Sequence, residues 1–444
     1  MIGGAATRRP RDRPAWRASS DAWPVWRARS PDHDSPKRSR IVRAIEDAAD
    51  GFGPIRRSRA MKVALLNVKY SANLGDGLLS ECLEGALASA LGRIAGAGGP
   101  IVVESIDLAG RTGFSSGSGL RGTVLKTLEG MPDWVRQPMM YVVLKTLVRT
   151  RLRKFYADSL AGVDAVVLGG GNLLADSDLN FPIKIEAALA EATRRGLPVA
   201  VFGVGVTRNW TRTGTRLFAR AFSRARLIDV TVRDTRSQAV WNDLLAGRSI
   251  QPAGLACDPG LLAASRYGDC AASDRTKPVG FCITDPLLLR YHGEASVIGS
   301  DMAGWYADAI SALANSGREV VLFTNGSPED RAFLDTIAPA LVDRGNGRVR
   351  RAEDFTTPGD LVRFIGGCAL VVAHRMHACI AAYALGIPPV GLAWDVKLDS
   401  FFALTERSDY IVPDRRYRGG GSGAGGGAAR HLRICLRDPA DRRG

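Results

Sequence analysis

The chain has 444 residues, 45% of them hydrophobic, with a formal charge of +15 and a mean hydropathy of -0.04. That length allows two ordinary domains, and no apolar run approaches the length of a membrane-spanning helix. No apolar leader segment opens the sequence, so no signal peptide is expected, and seven scattered cysteines without CxxC spacing fit free thiols in a reducing compartment.

The charge is unevenly placed. Residues 1–60 carry a net +7 and residues 413–444 a net +5, which leaves +3 for 61–412. Both tails are poor in aliphatic residues, so solvated, disordered ends are expected, and nucleic acid is not an expected partner. A short helical pattern at Ile41–Ala49 is the exception in the first tail. An abrupt strand follows Met61, which makes that methionine a candidate start and residues 1–60 a candidate mis-called extension.

The body reads as alternating strands and helices. Lys62–Asn67 is an apolar strand, and Asn73-Leu74-Gly75-Asp76 forms the turn into a helix from Gly77 to about Leu91. Gly75 allows close backbone approach there, and Asp76 is placed to cap the helix. A second strand, Ile101–Ile106, is followed by a Gly/Ser-rich stretch at 109–123, expected to be a mobile loop. Residues 124–160 interleave apolar residues (Trp134, Met139, Met140, Tyr141, Leu144, Leu147, Phe155) with Lys145, Arg149, Arg151, Arg153 and Lys154. Core-packing helices explain this pattern; an amphipathic face for a membrane or a lipid-linked acceptor is the sharper reading.

Ala165–Leu168 runs into Gly169-Gly170-Gly171-Asn172. This is neither a Walker A loop nor a dinucleotide fingerprint. Helix Ile183–Arg195, strand Pro198–Gly203, helix Thr213–Ala225 and strand Asp229–Val232 follow, and Arg233 stands at that strand's carboxyl end. Ser237–Leu245 is helical, and Asp258-Pro259-Gly260 comes soon after. The pattern then repeats with strand Val279–Ile283, helix Ser300–Asn315, strand Glu319–Phe323, helix Asp330–Val342, strand Arg348–Arg351 and helix Pro358–Gly366. Ala369–Ala373 reads as a strand buried on both faces, and Ala378–Leu385 as a helix stopped by Gly386 and Pro388. His374-Arg375-Met376-His377 therefore lies where a strand ends and a helix begins, the place where open α/β sheets bind anions. Two such α/β halves imply a cleft between facing domains.

Taken in order, Asn73-Leu74-Gly75-Asp76, Gly169-Gly170-Gly171-Asn172, Val232-Arg233-Asp234, Asp258-Pro259-Gly260, Arg375-Met376-His377 with Gly386-Ile387-Pro388, and Asp395-Val396-Lys397 before Phe401 resemble the polysaccharide pyruvyl transferase family. Met376 stands where the family usually has Leu, a change of similar volume. His374 stands where a small or hydroxyl residue is commoner. The resemblance implies an α/β protein of two Rossmann-like domains facing across a cleft, the GT-B-type architecture of nucleotide-sugar glycosyltransferases. The expected division is a basic extension at 1–60, an N-terminal acceptor-side domain at 61–254, a C-terminal donor-side domain at 255–412 and a flexible Gly/Arg-rich tail at 413–444.

The resemblance also implies transfer of a pyruvyl group from phosphoenolpyruvate to two hydroxyls of one sugar residue. A pyruvate ketal forms and phosphate is released. Phosphoenolpyruvate is a co-substrate here, and no cofactor is expected. Such a substrate needs fixed cations for its carboxylate and phosphate, and Arg supplies planar donors for both. Arg233, Arg375 and Lys397 are the expected donor-binding residues. His377 and Arg375 are the expected catalytic ones, with His377 as acid, base or phosphate clamp on the premise of a pKa near neutrality. Asn73, Asp76, Gly170 and Asn172 are expected to line the cleft or touch the acceptor. His374 and His377, three apart without a Cys or Glu beside them, make an incomplete zinc site, so no metal is expected.

The expected setting is envelope or exopolysaccharide synthesis in the cytoplasm, with peripheral contact at the inner membrane face and a saccharide acceptor, lipid-linked in one version. Two alternatives stand beside this reading. One is a nucleotide-sugar glycosyltransferase of the same fold using Glu329 or Asp330. The other is a non-catalytic scaffold in polysaccharide assembly, anchored by its basic tails.

Overall fold

The computed structural model describes residues 60–412 apart from 96–99, 115–132, 248, 257, 269–275, 287–301 and 395. All but the last residue of the expected 1–60 extension, the expected tail at 413–444, the Ile41–Ala49 helix and most of the 109–123 loop lie outside the described residues.

Two six-stranded parallel sheets form the body, so the sequence reading of two Rossmann-like α/β halves holds. The first contains β1 (Met61–Asn67), β2 (Ile101–Asp107), β3 (Ala165–Gly169), β4 (Pro198–Val204), β5 (Arg226–Val232) and β6 (Gly254–Leu255), in the order β2-β1-β3-β4-β5-β6. The second contains β7 (Val279–Cys282), β8 (Val320–Phe323), β9 (Val349–Arg351), β10 (Leu370–Ala373), β11 (Pro389–Leu392) and β12 (Ile411–Val412), in the order β12-β11-β10-β7-β8-β9. Read from its far edge, the second order is that of dinucleotide-binding folds. Strand order reverses between β1 and β3 in the first sheet, and between β7 and β10 in the second.

Continuous apolar runs form these strands because both faces of each sheet are covered. Alternate residues separate the faces. Ala64, Leu66, Val166, Leu168, Val199 and Val201 share one core with helices Asn180–Arg194 and Arg212–Arg224. Val63, Leu65, Ala165 and Val167 face the other way, against Leu83, Leu87 and Leu91 of helix Leu74–Ala95. The same helix turns Leu74, Leu78 and Cys82 toward the second domain, where they join Ala263, Cys379 and Ile380 in a core that both domains share. A hydrogen bond from the Leu74 N–H to the Asn325 carbonyl, 2.8 Å, and one from the Tyr267 hydroxyl to Glu81, 2.6 Å, cross the same boundary.

Several elements start earlier than the sequence reading, among them helix Asn180–Arg194 and β5, and two departures bear on the site. Helix Leu74–Ala95 starts three residues earlier than expected, and Asp76 is not its cap. Asn73 takes that place, its Oδ1 accepting the Gly75 N–H at 3.3 Å. The interdomain burial of Leu74, which no local pattern shows, draws the first turn back. Downstream, Val396–Leu404 is helical where no helix was expected, burying Leu398 and Phe402 in the shared core.

Candidate active site

The carboxyl ends of the strands at the two reversal points meet at the domain boundary, and most of the expected site residues stand there. Asn73 and Asp76 follow β1, Gly170 and Asn172 follow β3, and Arg233 follows β5. From the other side, Arg375 and His377 follow β10, and Lys397 begins the helix after β11.

Arg375 is the N-cap residue of helix Met376–Ala384, with extended backbone and no side-chain cap. Its side chain turns instead to Asp330: Nε and Nη2 donate to Oδ2 at 2.9 and 2.6 Å. Asp330 is fully buried, and its Oδ1 accepts the Asp285 N–H at 2.8 Å. Burial pushes the Asp330 carboxyl up, and the Arg375 charge draws it back. Arg375 Nη1 makes no hydrogen bond among the described residues. Of the two carboxylates weighed for a nucleotide sugar, Asp330 is therefore committed to holding Arg375, while Glu329 is exposed.

Arg233 is 5% exposed, between Asp234 at 3.4 Å and Asp258 at 3.5 Å. Its neighbours have structural work as well. Asp234 caps the next helix by accepting the Ser237 N–H, and Asp258 accepts the Gly260 N–H. The distances to Arg233 are long for hydrogen bonds, which leaves the guanidinium loosely held. A Cβ on Gly205 would lie 2.7 Å from both Arg233 Nη2 and Asn172 Oδ1, so this glycine opens the space between them.

His377 lies one residue into the same helix as Arg375. Its Nδ1 is 3.8 Å from Asp76 Oδ1 across the domain boundary. Gly75 makes that approach possible, as the sequence suggested, since a Cβ there would sit 2.5 Å from His377 Cβ and Nδ1. Gly75→Ala is therefore expected to displace the imidazole. The overpacking costs about 1–3 kcal/mol, and a shift of roughly 1 Å lowers kcat/KM by ~10²-fold. Steady-state kinetics beside a thermal melt would separate the two effects.

The electrostatics reverse one expectation. Burial, and then the charges of Arg233, Arg375 and Lys397, hold the His377 imidazole down at about 3, so it is neutral near pH 7 and not poised there. Asp76 moves the other way: burial raises its carboxyl to about 6, against a hydrogen bond from Ser71 and the charges of Arg111 and Arg375. The group titrating closest to neutrality is thus the carboxylate. A raised acid contributes stability that is full below its unfolded pKa and is lost as pH rises through the folded value. Asp76→Asn is therefore expected to raise Tm at pH 8, with the gain shrinking as pH falls below about 6. A variant as stable as wild type at both ends of that range would refute the assignment.

Four buried polar atoms at strand ends have no hydrogen-bond partner among the described residues: Asn172 Oδ1 after β3, Thr284 Oγ1 after β7, Asn325 Nδ2 after β8 and His377 Nε2 after β10. Buried polar atoms are rarely left unbonded, so they suit a polar ligand. Sequence reasoning missed Thr284, whose signal was a position just beyond β7 at the reversal point, and the pairing role of Asp330 in the first turn of helix Pro328–Asp343. His374 is fully buried, with Nδ1 3.1 Å from the Tyr306 hydroxyl, and its carbonyl accepts from Trp394 Nε1.

Two Rossmann-like domains that meet at their reversal points, with cations, a histidine and a carboxylate between them, define a GT-B-type protein. The model of the family described as polysaccharide pyruvyl transferase matches residues 124–396, more than half of the chain, and the chain belongs to that family. No curated protein matches the sequence significantly. Among solved structures, UDP-GlcNAc 2-epimerase from Methanocaldococcus jannaschii is 9% identical with a TM-score of 0.46, covering 86% of this chain and 94% of its own. ADP-heptose lps heptosyltransferase II of E. coli is 16% identical with a TM-score of 0.38, covering 85% and 98%.

Proposed function

We propose that the protein transfers the pyruvyl group of phosphoenolpyruvate to two hydroxyls of a sugar residue in a polysaccharide or its lipid-linked precursor. The observation that carries this reading is the convergence of Arg233, Arg375 and Lys397 on His377, three cations for a donor with a carboxylate and a phosphate. Arg233 and the free Nη1 edge of Arg375 hold the anionic groups, and Lys397 adds a third charge. The anionic donor offsets the three positive charges that, after burial, hold the His377 imidazole down, so its affinity for a proton rises when the donor binds. The histidinium so formed protonates the methylene carbon.

Asp76, on the acceptor side, removes the proton of the attacking hydroxyl as that oxygen bonds to C2. The C2–O bond to phosphate then breaks, the second hydroxyl closes the ketal, and its proton leaves with phosphate. The first hydroxyl proton returns to His377 by way of Asp76 over the 3.8 Å gap, which tightens when substrate fills the junction. This reading places the protein in envelope polysaccharide synthesis in the cytoplasm, at the inner membrane face when the acceptor is lipid-linked.

A donor screen by thermal shift tests the reading. Stabilisation by phosphoenolpyruvate and none by nucleotide sugars is expected. The reverse pattern would make the protein a glycosyltransferase, and phosphate release from phosphoenolpyruvate with a glycan acceptor would rule out a scaffold.

A further inference from the structure

One face of the first sheet is covered by helix Asp133–Leu147, the π-helical turn Val148–Leu152, and helices Arg153–Ser159, Asn180–Arg194 and Arg212–Arg224. Their inner residues, among them Leu144, Leu152, Ile185 and Phe218, share a single core. Their outer surface is unusual in two respects. Tyr141, Val142 and Val143 are adjacent and 39%, 62% and 47% exposed. In addition, Arg212, Arg216, Arg220 and Arg224 repeat every four residues, all exposed, on one side of their helix.

Like charges at that spacing destabilise a helix. Arg220 is relieved by Glu186, but Arg212, Arg216 and Arg224 meet no carboxylate among the described residues. The same holds for the exposed Arg149, Arg153 and Lys154 beyond the valines. Glu186 also takes Lys145 at 3.5 Å, so the arginine row and the apolar patch lie side by side, joined through one carboxylate. Lys145 in turn stands 5.7 Å over the Tyr141 ring.

We propose that this helix layer docks on an anionic lipid bilayer, with Val142 and Val143 entering the headgroup region and the arginines on lipid phosphates. Exposed valines decide between polyanions: a nucleic acid offers cations a partner but gives aliphatic side chains no apolar phase, whereas a bilayer interface takes both. Among the described residues no helix is long and apolar enough to cross a membrane, so the contact is peripheral. The layer also reaches the site. Arg151 Nη2 donates to the Gly110 carbonyl at 3.2 Å, in the loop after β2 whose Arg111 acts on Asp76. A lipid-linked acceptor held at the surface would thus be presented at that edge of the sheet.

The inference extends the proposed reaction only by saying how its acceptor is met. Vesicle binding needs no turnover, so its failure leaves the donor screen untouched. Full-length protein is sedimented with vesicles of equal parts phosphatidylcholine and phosphatidylglycerol, and with phosphatidylcholine alone. Binding to the anionic vesicles is expected to be at least ~10²-fold tighter, and Arg212→Gln/Arg216→Gln/Arg224→Gln to remove about that much. Val142→Ser/Val143→Ser is expected to weaken binding by ~10-fold. All five side chains are exposed, so far-UV circular dichroism should match wild type. No binding, or equal binding by both variants through the basic tails, would overturn the proposal. So would an unchanged valine variant whose vesicle binding is competed by duplex DNA.

Discussion

Replacing Arg375 with methionine is expected to destabilise the protein by about 3–5 kcal/mol and to lower kcat/KM by ~10²–10³-fold. The stability effect comes from Asp330. With its partner gone, a carboxylate that has no exposed surface is left charged, and only Ser327 and the Asp285 N–H remain near it. A second substitution separates stability from activity. Asp330→Asn keeps an acceptor for the Asp285 N–H and removes the stranded charge. The Arg375→Met/Asp330→Asn double variant is therefore expected to regain most of the lost stability, because two contacting residues are not additive. It should regain no activity, since the guanidinium edge at the junction is still missing. Denaturant titrations of the three variants give the cycle. A double variant as unstable as Arg375→Met would mean the pair is not the source of the loss.

The second large effect concerns Asp76 and pH. With the carboxyl at about 6 and His377 held at about 3, Asp76 is the member of this pair that titrates nearer neutrality. As the base for the acceptor hydroxyl, Asp76 must be ionised. kcat/KM is therefore expected to fall on the acid side of about pH 6 with a slope of one. Asp76→Asn should lose ~10²–10⁴ in kcat/KM and the acid limb with it. His377→Asn should lose a similar factor but keep that limb, because Asp76 remains. An acid limb that survived in Asp76→Asn would assign it to another group.

These two cases mark what the sequence can carry. The strands were legible because residues buried on both faces form apolar runs, and the site's position was legible because Arg233 and the Arg375–His377 cluster sit where those runs stop. The two α/β halves facing across a cleft followed from the repeated alternation, and their GT-B-type pairing from the family resemblance. Asp330 was read as a free carboxylate because its partner lies 45 residues away and only the second sheet's strand order brings them together. The start of helix Leu74–Ala95 was misplaced because Leu74 is buried by the other domain. The poised pKa was given to histidine on its ordinary value. Burial, and then three cations from both domains, lower it, and burial raises Asp76, neither of which a linear pattern shows.

The most direct measurement is the mass of the acceptor after incubation with phosphoenolpyruvate. Purified lipid-linked glycans are treated with wild-type protein, with Arg233→Ala and with Asp76→Asn, and are read by mass spectrometry beside released phosphate. Wild type should add one pyruvyl group for each phosphate released, and both variants should add almost none. Phosphate release without a pyruvyl group on any glycan, or transfer by the two variants equal to that of wild type, would contradict a pyruvyl-transfer site at the junction of the two domains.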